Sequence, residues 1–217
     1  MKKFYLSLVA LLVFTSLSQA QNIRLNLYGA YSFADRFDSY YDYNDYYDGK
    51  IKDGFQWGAG VEYMSRPNTG IELIYIRQDT DAPTYYLADG YFANERFTIF
   101  ELGINYIMLG ANQYFKTSGA PIEGFIGVSG GTMIANIDNP DNGNSEGTTK
   151  FAWGAKLGGT YWLSPNLGIK AQAQLLSAVQ AMGGGFYFSG YGPSAGLSSY
   201  STIYQFSLGG GLVFKIY

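Results

Sequence analysis

From Ile23 onward the chain alternates apolar and polar residues in eight successive runs, most of them about ten residues long. A period of two sends neighbouring side chains to opposite faces of a strand, whereas a helix would repeat its apolar positions every three or four residues. The first run sets Ile23, Leu25, Leu27, Tyr31 and Phe33 against Arg24, Asn26, Tyr28 and Ser32, and the second sets Phe55, Trp57, Val61 and Tyr63 against Gln56, Gly58, Gly60 and Glu62. In the third, residues 70–78, Ile71, Leu73 and Tyr75 take the apolar face, while Ile74 and Ile76 blur the other. The fourth, Phe97 to Phe115, is expected to turn Phe100, Leu102, Ile104 and Tyr106 outward and Glu101, Gly103 and Asn105 inward. The fifth, Pro121 to Asn136, turns Ile122, Ile126 and Val128 outward. In the sixth, Phe151, Trp153, Leu157 and Tyr161 oppose Ala152, Gly154, Lys156 and Gly158; in the seventh, Leu167, Ile169 and Leu175 oppose Lys170, Gln172 and Gln174. The eighth sets Tyr204, Phe206, Leu208, Leu212, Phe214 and Ile216 against Gln205, Ser207, Gly209, Gly211 and Lys215.

The connectors alternate as well. Ser65–Thr69, Lys116–Ala120 and Ser164–Asn166 read as tight turns, while Ala34–Gly54, Asp79–Glu95, Asp138–Thr149 and Ala178–Ser201 are long and polar. Strands with one apolar face, short turns at one end and long loops at the other describe an antiparallel up-and-down transmembrane β-barrel, with lipid outside, a lumen inside and both termini on the short-turn side. Eight strands are expected; ten would result if Gly183–Tyr191 hid a further hairpin. Residues 1–20 read as a cleaved signal peptide. Lys2 and Lys3 supply the positive start, Phe4–Phe14 the apolar run, and Ser18-Gln19-Ala20 the small-residue cleavage site, which leaves 21–217 as one barrel domain exported to the outer membrane.

Charge placement supports that map. Of 17 acidic residues, 13 fall in the first three long loops or at their edges, and the other four are Glu62, Glu72, Glu101 and Glu123. These four take the inward parity, as do the basic residues well inside strands, Arg24, Lys156, Lys170 and Lys215. A Lys or Arg facing lipid at mid-membrane costs about 2–4 kcal/mol, so inward charge is what a membrane barrel requires. The acids lie on strands two to five and the bases on strands six, seven, eight and one. Opposite signs should therefore face each other across the lumen, with Glu101 and Lys156 above the rest.

The pattern, together with Asn105–Phe115 (NYIMLGANQYF) and the ending Leu208–Tyr217 (LGGGLVFKIY), resembles small outer-membrane barrels of the OmpA/OmpX type and the outer membrane protein beta-barrel domain family of Bacteroidota. The resemblance implies an outer-membrane location among lipid and lipopolysaccharide, delivery by the barrel-assembly machinery, and no defined activity.

Candidate chemistry is sparse. The chain has no Cys, which removes disulfides, thiolate metal sites and a cysteine nucleophile, and no His, on which the known barrel hydrolases and acyltransferases rely. Asp138-Asn-Pro-Asp-Asn-Gly143 begins like a calcium loop but places Pro140 and Thr149 where ligands belong, so no metal or cofactor is expected. A net charge of −3 offers no basic surface to nucleic acid. The first long loop carries Tyr40, Tyr41, Tyr43, Tyr46 and Tyr47 interleaved with aspartates, a composition that suits a surface binding loop. Two non-enzymatic readings follow: a surface or membrane-stabilising barrel with a charge-filled lumen, or a narrow channel for small solutes.

Overall fold

A computed structural model describes residues 22–42, 45–87, 95–116, 119–138, 145–179, 185–189, 192–196 and 203–216. The strands are β1 (Ile23–Ser32), β2 (Asp35–Asp42), β3 (Asp45–Ile51), β4 (Gly54–Arg66), β5 (Thr69–Leu87), β6 (Glu95–Lys116), β7 (Ile122–Asp138), β8 (Ser145–Trp162), β9 (Leu167–Val179), β10 (Gly185–Ser189), β11 (Gly192–Gly196) and β12 (Ile203–Ile216). Eight of them close an antiparallel barrel in the order β1, β4, β5, β6, β7, β8, β9, β12, with β12 pairing back to β1. The β10–β11 hairpin forms its own two-stranded sheet and does not enter the barrel, so the ten-stranded alternative is excluded.

The stagger follows from the ladder. Paired residues lead from Met64 through Gly70, Asn112, Gly127, Lys156, Gln174, Ser207 and Ser32 to Gly54, ten residues along the strand they began on. A shear of ten over eight strands implies a tilt of about 40° and a backbone radius of about 8 Å, an interior that side chains can fill.

Outside, the barrel carries a continuous apolar belt that includes Leu25, Leu27, Val61, Leu73, Ile107, Leu109, Val128, Leu157 and Leu208, all exposed. Tyr63, Phe115, Tyr161 and Phe214 ring its turn-side edge, and Tyr31, Phe33, Phe55, Trp57, Trp153 and Phe206 its loop-side edge. Two aromatic girdles flanking an apolar band are the exterior of a transmembrane barrel.

Local chemistry fixes the tight turns. Pro67 and Asn68 separate β4 from β5, where the Ser65 hydroxyl donates to the Thr69 carbonyl (3.2 Å). The Ser164 hydroxyl accepts from the amides of Asn166 (3.3 Å) and Leu167 (3.0 Å). Between β6 and β7, Gly119 sits at φ 80°, a conformation open to glycine but strained for a side chain with a Cβ.

On the other side the strands overshoot. A tilted strand crosses a bilayer in about 9–11 residues, yet β5 has 19 and β6 has 22, so the sheet stands well clear of the apolar belt. Much of the expected long loop 79–95 is therefore strand, and the β2–β3 hairpin continues the sheet by pairing Tyr47–Gly49 with Thr84–Tyr86.

The facing of β6 is reversed from expectation. Phe100, Leu102, Ile104, Tyr106 and Met108 point inward and are buried, while Ile99, Ile107, Leu109 and Phe115 are exposed. Both parities of this strand are apolar, so alternation cannot orient it. Placing Glu101 inward assumed that it lay within the lipid belt, whereas it stands above that belt, on the exposed outer face, where a charge remains solvated. This facing predicts that Leu109→Arg, in the apolar belt, lowers stability in lipid by about 2–4 kcal/mol. Glu101→Arg should change it by less than about 0.5 kcal/mol, as judged from urea unfolding midpoints in vesicles.

Candidate functional site: the charged lower lumen

Three acids and three bases meet inside the turn-side half of the barrel. Glu62, Glu72, Glu123, Arg24, Lys156 and Lys170 are all buried, none more than 7 % exposed. Each stands at an inward position of its strand, and five of the six lie within a few residues of a tight turn or of an end of the ladder. Because β1 and β7 are diametrically opposed in the strand order, Arg24 crosses the lumen to reach Glu123, donating from Nη1 to Oε2 (3.0 Å) and from Nη2 to Oε1 (3.2 Å). The Trp162 indole donates to the same carboxylate (3.2 Å). The guanidinium also lies 4.4 Å from the Tyr114 ring centroid, a cation–π contact.

Glu62 and Glu72 are direct ladder partners on β4 and β5, so two carboxylates face each other on one side of a sheet. Two amides bridge them. Asn112 Nδ2 donates to Glu62 Oε1 (2.7 Å) and Glu72 Oε2 (2.9 Å), and Asn26 Nδ2 to Glu72 Oε1 (2.8 Å) and Glu62 Oε2 (3.5 Å). Lys156 Nζ binds Glu72 Oε2 directly (2.5 Å), while Lys170 Nζ donates to Asn26 Oδ1 (3.1 Å) and so acts on the carboxylates through an amide. The Tyr114 hydroxyl donates to Glu62 (2.7 Å), and the Tyr28 hydroxyl to Glu72. Glycines make the room. A Cβ on Gly60 would come within 2.1 Å of Glu72 Oε1, one on Gly70 within 2.2 Å of Glu62 Oε1, and one on Gly127 within 2.2 Å of Asn112 Oδ1.

The sequence reading and the structure part company at three of the eight charges. Glu101 is outside the lumen, in a polar recess of about 580 Å³ shared with Lys52, Asp53, Arg77, Asp79, Asp81 and Asp138. Lys156 belongs to the lower network and not to a separate upper pair with Glu101, because its stem passes over Gly127, where the lack of a side chain lets it reach Glu72. Lys215 lies at the turn-side mouth, its ammonium 3.6 Å from the Trp162 ring centroid. Of the five tyrosines of the first loop, Tyr40, Tyr41, Tyr46 and Tyr47 lie on the β2–β3 hairpin with side chains outside the described set, and Tyr43 falls outside the described residues. The partners that sequence reasoning left out of the site are Asn26, Tyr28, Asn112, Tyr114 and Trp162. Asn26 and Tyr28 already showed inward parity; Asn112 and Tyr114 were hidden by the ambiguity of β6.

Above the charges the filling changes character. Gln56 Nε2 donates to Gln78 Oε1 (2.8 Å), Gln205 Nε2 to Gln78 Oε1 (3.0 Å), the Tyr106 hydroxyl to Gln205 Oε1 (2.8 Å) and the Ser207 hydroxyl to Gln56 Oε1 (3.0 Å). Opposite them Ile74, Ile76, Ile104, Met108, Met133, Ala135, Ala152 and Leu176 form one apolar cluster. The gap between Ile76, Met108, Lys156 and Leu176 holds only about 10 Å³, the scale of a single water. The lower carboxylates, at most 2 % exposed, are enclosed by protein. Among the described residues, side chains fill the lower and middle lumen around these acids.

No family model and no curated protein matches the chain. Among solved structures, it is similar to Neisserial surface protein A (TM-score 0.57, 17% identity, 89% of this chain and 97% of that one) and to OprG from Pseudomonas aeruginosa (0.54, 11%, 91% and 98%). It is also similar to the outer membrane protease OmpT from Escherichia coli (0.53, 9%, 91% and 97%). At these identities the likeness shows the barrel fold alone, and a fold does not fix an activity.

Arg24→Met alone should leave Glu123 buried without its cation and cost about 3–5 kcal/mol, whereas Arg24→Met combined with Glu123→Leu should recover most of that loss. Equilibrium unfolding of the two single variants and the double variant measures the difference.

Proposed function

We propose that this chain is a non-enzymatic outer-membrane protein whose plugged barrel displays a binding surface outside the cell, with residues 1–20 as its export signal. The observation that carries the reading is the two-tier filling of the lumen, neutral ion network below and glutamine–apolar packing above. A barrel sealed in this way works through what it presents at its ends, and here the long side is enlarged by β5, β6 and the β2–β3 hairpin. Outer-membrane lipid and lipopolysaccharide would surround the belt, and the barrel-assembly machinery would insert it. The finer kinship with the Bacteroidota family belongs to the same proposal, and it rests on residues 105–115 and 208–217.

The competing reading is a small-solute channel. Planar-bilayer recording of the refolded protein separates them: the sealed barrel should show no steady conductance, and porin-like steps would give the channel reading precedence. The surface role has its own test. Replacing Tyr40, Tyr41, Tyr43, Tyr46 and Tyr47 with Ser should reduce adhesion of cells displaying the protein while its level and heat-modifiability stay normal. Unchanged adhesion would remove the tyrosines from the binding surface.

A further inference from the structure

The two ends of the barrel differ in charge. Acidic residues gather on the long-loop side, where Asp79, Asp81, Glu101 and Asp138 line one recess. On the turn side a second recess, about 440 Å³, is bounded by Arg24, Met64, Ser65, Arg66, Pro67 and Lys215, together with Asn22, Ile23 and Ile216; among the described residues its walls carry three cations and no acidic side chain. Arg24 is already neutralised by Glu123. Neither Arg66 nor Lys215 forms an ion pair among the described residues, and the Trp162 ring steadies the Lys215 ammonium without cancelling its charge.

The recess also has an apolar side. Ile23 and Ile216 are ladder partners with the parity of the lipid-facing series, and Ile23 pairs on its other flank with Tyr63 of the turn-side girdle. The opening therefore sits where the belt meets the inner-leaflet headgroups, with basic residues toward the mouth and aliphatic ones toward lipid. We propose that this recess binds the phosphate of an anionic phospholipid of the periplasmic leaflet, held between Arg66 and Lys215, with the lipid chains laid along Ile23 and Ile216. Basic pockets at a membrane interface select anionic headgroups in this way. A soluble anion would use the cations but gain nothing from the isoleucines, and the site stands whether or not the lumen conducts.

Native mass spectrometry of the refolded full chain in neutral detergent, titrated with phosphatidylglycerol or with phosphatidylcholine of the same chains, tests it. Phosphatidylglycerol should bind more tightly by on the order of tenfold. Arg66→Gln with Lys215→Gln should erase that preference while the barrel remains heat-modifiable. If the double variant fails to fold, Arg66→Gln alone, in an exposed turn, decides the matter: it should reduce the preference several-fold. Equal binding of the two lipids by the unaltered chain, or a preference that survives the substitutions, overturns the proposal. So does displacement of phosphatidylglycerol by inorganic phosphate at equal concentration, which would make the site one for free anions. Sedimentation with peptidoglycan sacculi without any phosphatidylglycerol preference overturns it too, in favour of a cell-wall contact.

Discussion

Glu62 and Glu72 face each other across one ladder step of β4 and β5, and the lower half of the barrel is organised around making that tolerable. Like charges directly opposed in a sheet repel, and in a narrow protein interior the repulsion is poorly screened. Two asparagine amides, two tyrosine hydroxyls and the ammonium of Lys156 converge on the pair, and Lys170 acts through Asn26. The Arg24–Glu123 bridge completes a set of three acids and three bases with no net charge. Glycine at 60 and 70 is part of the same solution, since any side chain there would occupy the volume taken by a carboxylate.

The two tiers divide the work of filling an interior about 8 Å in radius. Long charged side chains reach across the diameter and satisfy one another, but each added ion must find a partner or bear a desolvation cost of several kcal/mol. Higher up, glutamines bond to glutamines on β4, β5 and β12, and the β5–β9 wall supplies aliphatic volume. The change of filling begins within the lipid belt, and where the strands leave it the inner face of the projecting sheet stays apolar at Phe100 and Leu102 while its outer face, at Asp79 and Glu101, is charged.

Strand number, the facing of seven strands and the placement of the three tight turns were legible because each rests on local alternation or turn chemistry. The remaining barrel strand, β6, was not, since Ile99, Ile107 and Leu109 on one side and Phe100, Leu102 and Ile104 on the other give two apolar faces, and only the height of Glu101 relative to the belt decides between them. Individual partners were illegible for a different reason. The Arg24–Glu123 contact spans 99 residues and depends on a shear of ten, which is a property of the closed ladder and of no single strand. Asn26 showed inward parity but carries no charge, and Asn112 shares the ambiguous facing of β6, yet these two neutral amides hold the carboxylates together.

The seam between the first and last strands is poor in side chains at its middle. Gly29 faces Gly210, Ala30 faces Gly209 and Tyr28 faces Gly211, so the backbone ladder there has little packing to reinforce it. The acids of the network sit on β4, β5 and β7, while Arg24 and Asn26 lie on β1, on one side of that seam, and Lys170 lies on β9, beyond β12, on the other. A curled sheet open at the seam would hold Glu62 and Glu72 without the Lys170–Asn26 relay. Zipping the seam is what completes neutralisation, so the network behaves as a latch: it rewards closure during biogenesis and resists lateral opening afterwards, at a junction whose glycines contribute little packing of their own.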